Sequence, residues 1–156
     1  MIKKLSLPAS YSIKAPEHFY AVMGRDVALL RDKGSYETCT TVILCCIDAL
    51  AAGPGNADRS KFGAFVKKHF PTLCAELHGA VPGKSGAEVL YDKFRNGFAH
   101  LRGPKSGFAI ANDAELEGHY ATEVEIEGKG KYVAINVDRF IDDFRQVVAD
   151  LGRGAA

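Results

Sequence analysis

A chain of 156 residues with 47% apolar and 25% charged residues has the size and balance of one ordinary globular domain, so a single core spanning residues 1–156 is expected. The longest apolar run, around Val42 to Ala52, contains Asp48 and falls well short of the roughly 18 residues a membrane span needs, which argues against a membrane role. Net charge is only +1, yet residues 57–105 hold nine Lys/Arg against four Asp/Glu and residues 106–156 hold five against ten. A cationic middle beside an acidic tail permits local binding of polyanions, although a solvated face is the commoner reason for such sorting.

Lys3 and Lys4 precede Leu5-Ser6-Leu7-Pro8-Ala9-Ser10, which is too short and polar for a signal-peptide core, so a cytoplasmic protein is expected. An extended start through Pro8 and Pro16 leads into a helix from Glu17 to Lys33, with Phe19, Val22, Met23, Val27 and Leu30 on its apolar side and Gly34 as its stop. Ser35 is the expected cap of a second helix, which Cys39, Val42, Ile43, Cys46 and Leu50 line on one face until Gly53-Pro54-Gly55. A third helix, Asp58 to Phe70, turns Phe62, Phe65 and Val66 inward, and Pro71 and Pro82 bracket a shorter helical piece.

From Ser85 to about Leu101 a fourth long helix is predicted. At 100° per residue, Leu90, Tyr91, Phe94, Phe98 and Leu101 form its core face, which leaves Arg95, Asn96, Ala99 and His100 toward solvent. Residues 106–137 then change period. Val124 and Ile126 alternate with Glu123, Glu125 and Glu127, and Val133, Ile135 and Val137 alternate beyond the Gly128-Lys129-Gly130 turn. This predicts a small antiparallel β insertion, with Phe108 to Ala111 as a third strand. Asp138 is the expected cap of a last amphipathic helix carrying Phe140, Ile141, Phe144, Val147, Val148 and Leu151, with a frayed tail at 152–156. The expected fold class is therefore mainly α: an up-and-down helical bundle with a β insertion before the last helix.

Cys39, Cys45, Cys46 and Cys74 lack paired C-x-x-C spacing and read as reduced core thiols, while the five histidines show no i,i+4 pair, so no metal and no cofactor is expected. Gly79-Ala80-Val81-Pro82-Gly83-Lys84-Ser85 resembles a phosphate loop only superficially, because its spacing is one residue short and it follows a helical piece rather than a strand. It reads as a Pro-Gly turn. Asp142-Asp143 and the strand glutamates read as solvent faces.

The segment Arg95-Asn96-Gly97-Phe98-Ala99-His100 is the one candidate site. A guanidinium always carries charge and grips phosphate through two parallel hydrogen bonds, whereas an imidazole gives or takes a proton near neutral pH. Together they can cleave RNA without metal: His100 deprotonates a ribose 2′-hydroxyl or protonates the leaving oxygen, Arg95 stabilises charge on phosphorus oxygens, and Asn96, one turn before His100, orients its ring. By spacing alone a structural role is commoner, with Arg95 paired to Asp92 or Glu88 and His100 merely ending the helix.

Leu90-Tyr91-Asp92-Lys93-Phe94-Arg95-Asn96-Gly97-Phe98-Ala99-His100 resembles the signature helix of the HEPN superfamily, the higher eukaryotes and prokaryotes nucleotide-binding domains. Arg95 matches that family's arginine, Asn96 its polar neighbour and His100 its histidine at the shortest spacing. The resemblance extends over roughly residues 17–151 and implies a HEPN-like bundle of the type found in bacterial proteins. It implies a metal-independent endoribonuclease, toxin- or defence-like, whose two motif helices face one another in a homodimer, with Gly97 and Ala99 small enough for close approach. The alternative that the same resemblance carries is a non-catalytic nucleotide-binding or protein-interaction module, itself antitoxin- or adaptor-like, with RNA, nucleotide or an antitoxin-like protein as its partner.

Overall fold

The computed structural model describes residues 16–154 except 54, 57 and 102, without the side chains of 16–19 and 101. The expectations placed on residues 1–15, on the side chains of Phe19 and Leu101, and on the last two residues lie outside the described residues. In chain order the elements are α1 (Pro16–Asp32), α2 (Tyr36–Ala52), α3 (Arg59–His69), α4 (Pro71–Ala80), α5 (Gly86–Val89), a π-helical segment (Leu90–Arg95), α6 (Asn96–Leu101), β1 (Phe108–Ala111), β2 (Ala121–Ile126), β3 (Gly130–Asn136) and α7 (Val137–Gly154). The protein is mainly helical, with a small three-stranded sheet before the last helix. No helix among the described residues is long and apolar enough to cross a membrane.

The chain's most amphipathic helix, α7, turns Phe140, Ile141, Phe144, Val147 and Val148 into the core. It packs most extensively on α1, and the two run antiparallel. Arg31 near the end of α1 donates to Asp138 at 3.1 Å and Asp142 at 2.8 Å at the start of α7, while Gly152 near the end of α7 lies over Tyr20. On α2 the buried face is Cys39, Ile43 and Ile47 with Thr40 and Leu44, so Val42, Cys46 and Leu50 sit half-buried at its edge and Cys45 is exposed. The core-thiol expectation therefore holds for Cys39 and fails for Cys45. Ser35 precedes α2 as expected but makes no side-chain cap bond.

Asp58 caps α3 by accepting Lys61 N–H at 2.8 Å, and Phe70 leaves the helical path so that Pro71 can open α4. The Phe70 ring meets Phe140 edge-on at 5.5 Å, which ties this corner to α7. At the superficial phosphate loop, Ser85 and Glu88 form a capping box at the start of α5, and His78 Nδ1 lies 2.7 Å from the Lys84 carbonyl. The stretch is a turn with a helix start.

The sheet order is β1-β3-β2, with β1 parallel to β3 and β2 antiparallel to it, so the sheet is mixed rather than antiparallel. The physical reason lies in β3. Val133 to Asn136 are buried on both faces, a strand suited to the centre, so β1 pairs on its far side instead of joining β2. Glu76 of α4 anchors the start of β2 by accepting Tyr120 N–H at 2.7 Å and Ala121 N–H at 3.0 Å.

The cap of α7 is Asn136, not Asp138: its side-chain oxygen accepts Arg139 N–H at 3.1 Å while its amide donates to Asp113 at 2.8 Å and to the His119 carbonyl at 3.1 Å. Asp138 is otherwise engaged, by Arg31 and by Asp113 N–H. The helix also continues to Gly154, beyond the expected start of fraying at 152.

Candidate functional site

The predicted fourth helix forms, but its middle is π-helical. Over Leu90–Arg95 the turn widens by about one residue, so the α-helical phase of everything beyond it slips by roughly 100°. Leu90, Phe94 and Phe98 stay in the core, and Tyr91 is half-buried with its ring edge against Phe62 at 5.2 Å. Asn96 N–H reaches back to the Tyr91 carbonyl, the five-residue span of a π turn. Widened turns of this kind recur at functional sites in other proteins.

This geometry corrects the solvent-facing position expected of Arg95. Its side chain is 26% exposed and turned toward α2, where Nε donates to Asp48 Oδ2 at 2.7 Å. Nη1 donates to Asn96 Oδ1 at 2.9 Å, and the guanidinium carbon lies 5.3 Å from the centre of the Tyr91 ring. Asp92 and Glu88, the partners that spacing offered to Arg95, are taken by Arg59 at 2.9 and 3.4 Å. The guanidinium is thus held from three sides, and Nη2 makes no hydrogen bond among the described residues.

His100 is exposed, as expected, one α-helical turn beyond Asn96. Arg95 and Asn96 are brought together by a hydrogen bond, whereas no hydrogen bond joins either to His100 among the described residues. Beside Arg95 a small cleft is lined by Thr41, Leu44, Cys45, Asp48, Phe98 and Ala99. Asp48 Oδ2 carries the ion pair, while Oδ1 is buried without a hydrogen-bond partner.

The space expected beside Gly97 for a partner helix is filled by the chain itself. A Cβ on Gly97 would meet Gly103 O at 2.5 Å, Lys105 N at 2.8 Å and Pro104 Cα at 2.9 Å, and Lys105 N–H donates to the Lys93 carbonyl at 2.9 Å. Gly97 is needed for this return of the chain. Ala99 is exposed and remains open to a partner.

Sequence reasoning missed Asp48 as the partner of Arg95. Its signal was present: it is the sole charge in the apolar stretch from Val42 to Ala52, and a charge there needs a counter-charge from elsewhere in the fold.

Compared with family models, curated proteins and solved structures, the chain matches none.

Proposed function

We propose that the protein is a HEPN-type, metal-independent endoribonuclease of the cytoplasm, toxin- or defence-like, with an up-and-down HEPN-like bundle and a site built from Arg95, Asn96 and His100. The observation that carries this reading is the 2.9 Å bond between Arg95 and Asn96 on a helix whose next turn presents exposed His100. The bond fixes a cation beside the amide that precedes the histidine by one turn, which puts on one helix the two side-chain types, guanidinium and imidazole, that metal-free phosphodiester cleavage uses.

In the proposed reaction the ribose 2′-oxygen attacks phosphorus, the bond to the 5′-oxygen breaks, and a 2′,3′-cyclic phosphate and a 5′-hydroxyl form. One His100 takes the 2′-hydroxyl proton, the His100 of a second copy gives a proton to the leaving oxygen, and Arg95 steadies the charge on the phosphorus oxygens. The test is single-stranded RNA incubated with the protein in chelator. Cleavage lost in both Arg95→Ala and His100→Ala is the expected result; equal turnover in wild type and both variants sinks the assignment.

One observation favours the second reading, a non-catalytic HEPN-like module that binds nucleotide or an antitoxin-like partner. Asp48 already neutralises Arg95, which makes the pair competent as a structural cross-tie between α2 and the motif helix. On this reading His100→Ala weakens dimerisation or partner capture in light scattering, and no variant turns over RNA.

A further inference from the structure

Three of the nine Lys/Arg of residues 57–105, namely Arg59, Lys67 and Lys84, line a surface feature that the Arg95 site does not use. Two clefts, of about 660 and 530 Å³, lie along α3 and the start of α5, and Lys67, Ser85 and Ala87 line both. They form one continuous groove. Arg59 stands at its first end, and His78 and Lys84 at its other. Between them the lining is small: Gly63 and Ala64 on α3, Ala75 on α4. Where these small residues line it, an extended chain can lie close to the helix backbones, with Lys67 reaching beside it.

The groove's shape is fixed by hydrogen bonds. Ser85 and Glu88 hold each other in the capping box, and the His78 ring is bonded to the Lys84 carbonyl. Gly86 lets α5 press against α4, since a Cβ there would lie 2.0 Å from the Cys74 carbonyl oxygen. The charges sort cleanly. Glu88, whose carboxyl is held below its ordinary range by the Ser85 hydrogen bonds, is met by Arg59 at 3.4 Å. Lys67 and Lys84 are exposed and make no ion pair among the described residues, Lys67 standing near enough to Glu88 to favour its charged form, and the lining sets three cations, Arg59, Lys67 and Lys84, against the carboxylate of Glu88.

The groove also leads toward the motif. Arg59 donates to Asp92 at 2.9 Å, three positions before Arg95, and Phe62 of α3 packs on Tyr91, over whose ring the Arg95 guanidinium lies. The start of α5, which lines the groove, also runs directly into the segment that carries Arg95.

We propose that this groove between α3 and the start of α5 is the track for the backbone of single-stranded RNA, with Lys67 and Lys84 contacting successive phosphates. The choice of RNA rests on the reading of the Arg95 site; the site itself rests on the groove and its two lysines. Phosphate contacts of this kind bind without reading sequence and weaken as salt displaces them.

The test uses a fluorescein-labelled 2′-O-methyl oligouridylate, which has no 2′-hydroxyl to attack, so binding is measured apart from cleavage. Anisotropy is followed in chelator from about 50 to about 200 mM salt, where each phosphate contact on a single strand contributes a log–log slope of about 0.7. Lys67→Ala/Lys84→Ala is expected to weaken binding about tenfold at the lowest salt and to flatten the slope by about 1.4. Lys67→Arg/Lys84→Arg, which keeps both charges, should keep the affinity and the slope, and Lys129→Ala at the β2–β3 turn should change neither. A double alanine variant that binds like wild type, or a wild type that does not bind, overturns the track. Lysine-dependent binding without cleavage of ordinary RNA sinks the nuclease reading and leaves the track standing; cleavage with lysine-independent binding does the reverse.

Discussion

Arg95 Nε lies 2.7 Å from Asp48 Oδ2, joining the motif helix to the most apolar helix of the bundle through a pair that is only 26% and 15% exposed. Such a pair behaves differently from the surface pairs around it. Asp48→Asn removes the acceptor charge from a partly buried guanidinium and is expected to cost about 1.5–3 kcal/mol in urea unfolding. The exposed Arg59–Asp92 pair, treated the same way with Asp92→Asn, should cost about 0.2–1 kcal/mol. Equal costs for the two would show that the Asp48 pair has no special standing.

Three glycines rank by what surrounds them. Gly86→Ala forces a Cβ into the Cys74 backbone and should destabilise most, by about 3 kcal/mol, and Gly97→Ala should follow at about 1–3 kcal/mol because backbone of 103–105 must move. Gly79→Ala lies in α4 with nothing within 4 Å and should stabilise by roughly 0.5–1 kcal/mol. Thermal unfolding of the three single variants reads the order directly.

Asn136 is fully buried and uses both ends of its amide. Asn136→Ala removes the cap of α7 and strands the His119 carbonyl, so a loss of about 2–3 kcal/mol is expected. Asp138→Ala, the change that a cap at Asp138 would make worse, should cost less, and denaturant midpoints of the pair decide which residue starts the helix.

The thiols should separate by reactivity. Burial pushes Cys39 and Cys46 up to about 11 and raises Cys74, whereas Cys45 is exposed. At pH 8 a thiol of pKa 11 is roughly one part in a thousand thiolate, so a maleimide or disulfide reagent should label Cys45 first and the others on unfolding. The sign of the linkage follows: the folded values stand above the ordinary 9.0, so the fold favours the protonated thiols. That contribution is complete below pH 9 and is lost as pH rises toward 11. Mass spectrometry of pulse-labelled protein checks the order, and Cys39 labelled as fast as Cys45 would contradict it.

The helices were legible because their apolar residues repeat with the helical period and Gly or Pro closes most of them. The phase through Leu90–Arg95 was not, since no residue type marks a π turn and the slip shows only once packing chooses which side chains stay inside. For the same reason Arg95 read as free when it is held by Asp48: a counter-charge 47 positions away leaves no local pattern. Strand positions were legible from alternation, but the placing of β3 at the centre depends on burial of both its faces, which Ala134 and Asn136 decide and alternation conceals. His100 and Ala99 were placed correctly at the surface, and Gly97 was given the right reason, close approach, with the wrong neighbour.

The antiparallel seam between α1 and α7 has a consequence for synthesis. Among the described helices, α1 is made well before its most extensive partner, α7, with Arg31 waiting for Asp138 and Asp142 over a separation of more than a hundred residues. Until α7 emerges, the side of α1 at Tyr20 and Gly24, which meets Gly152 and Val148 in the folded protein, is uncovered, and the nascent chain offers that helix face to chaperones. A stop codon before Phe140 would therefore be felt at α1, and truncation there should yield an aggregating protein rather than a shorter bundle.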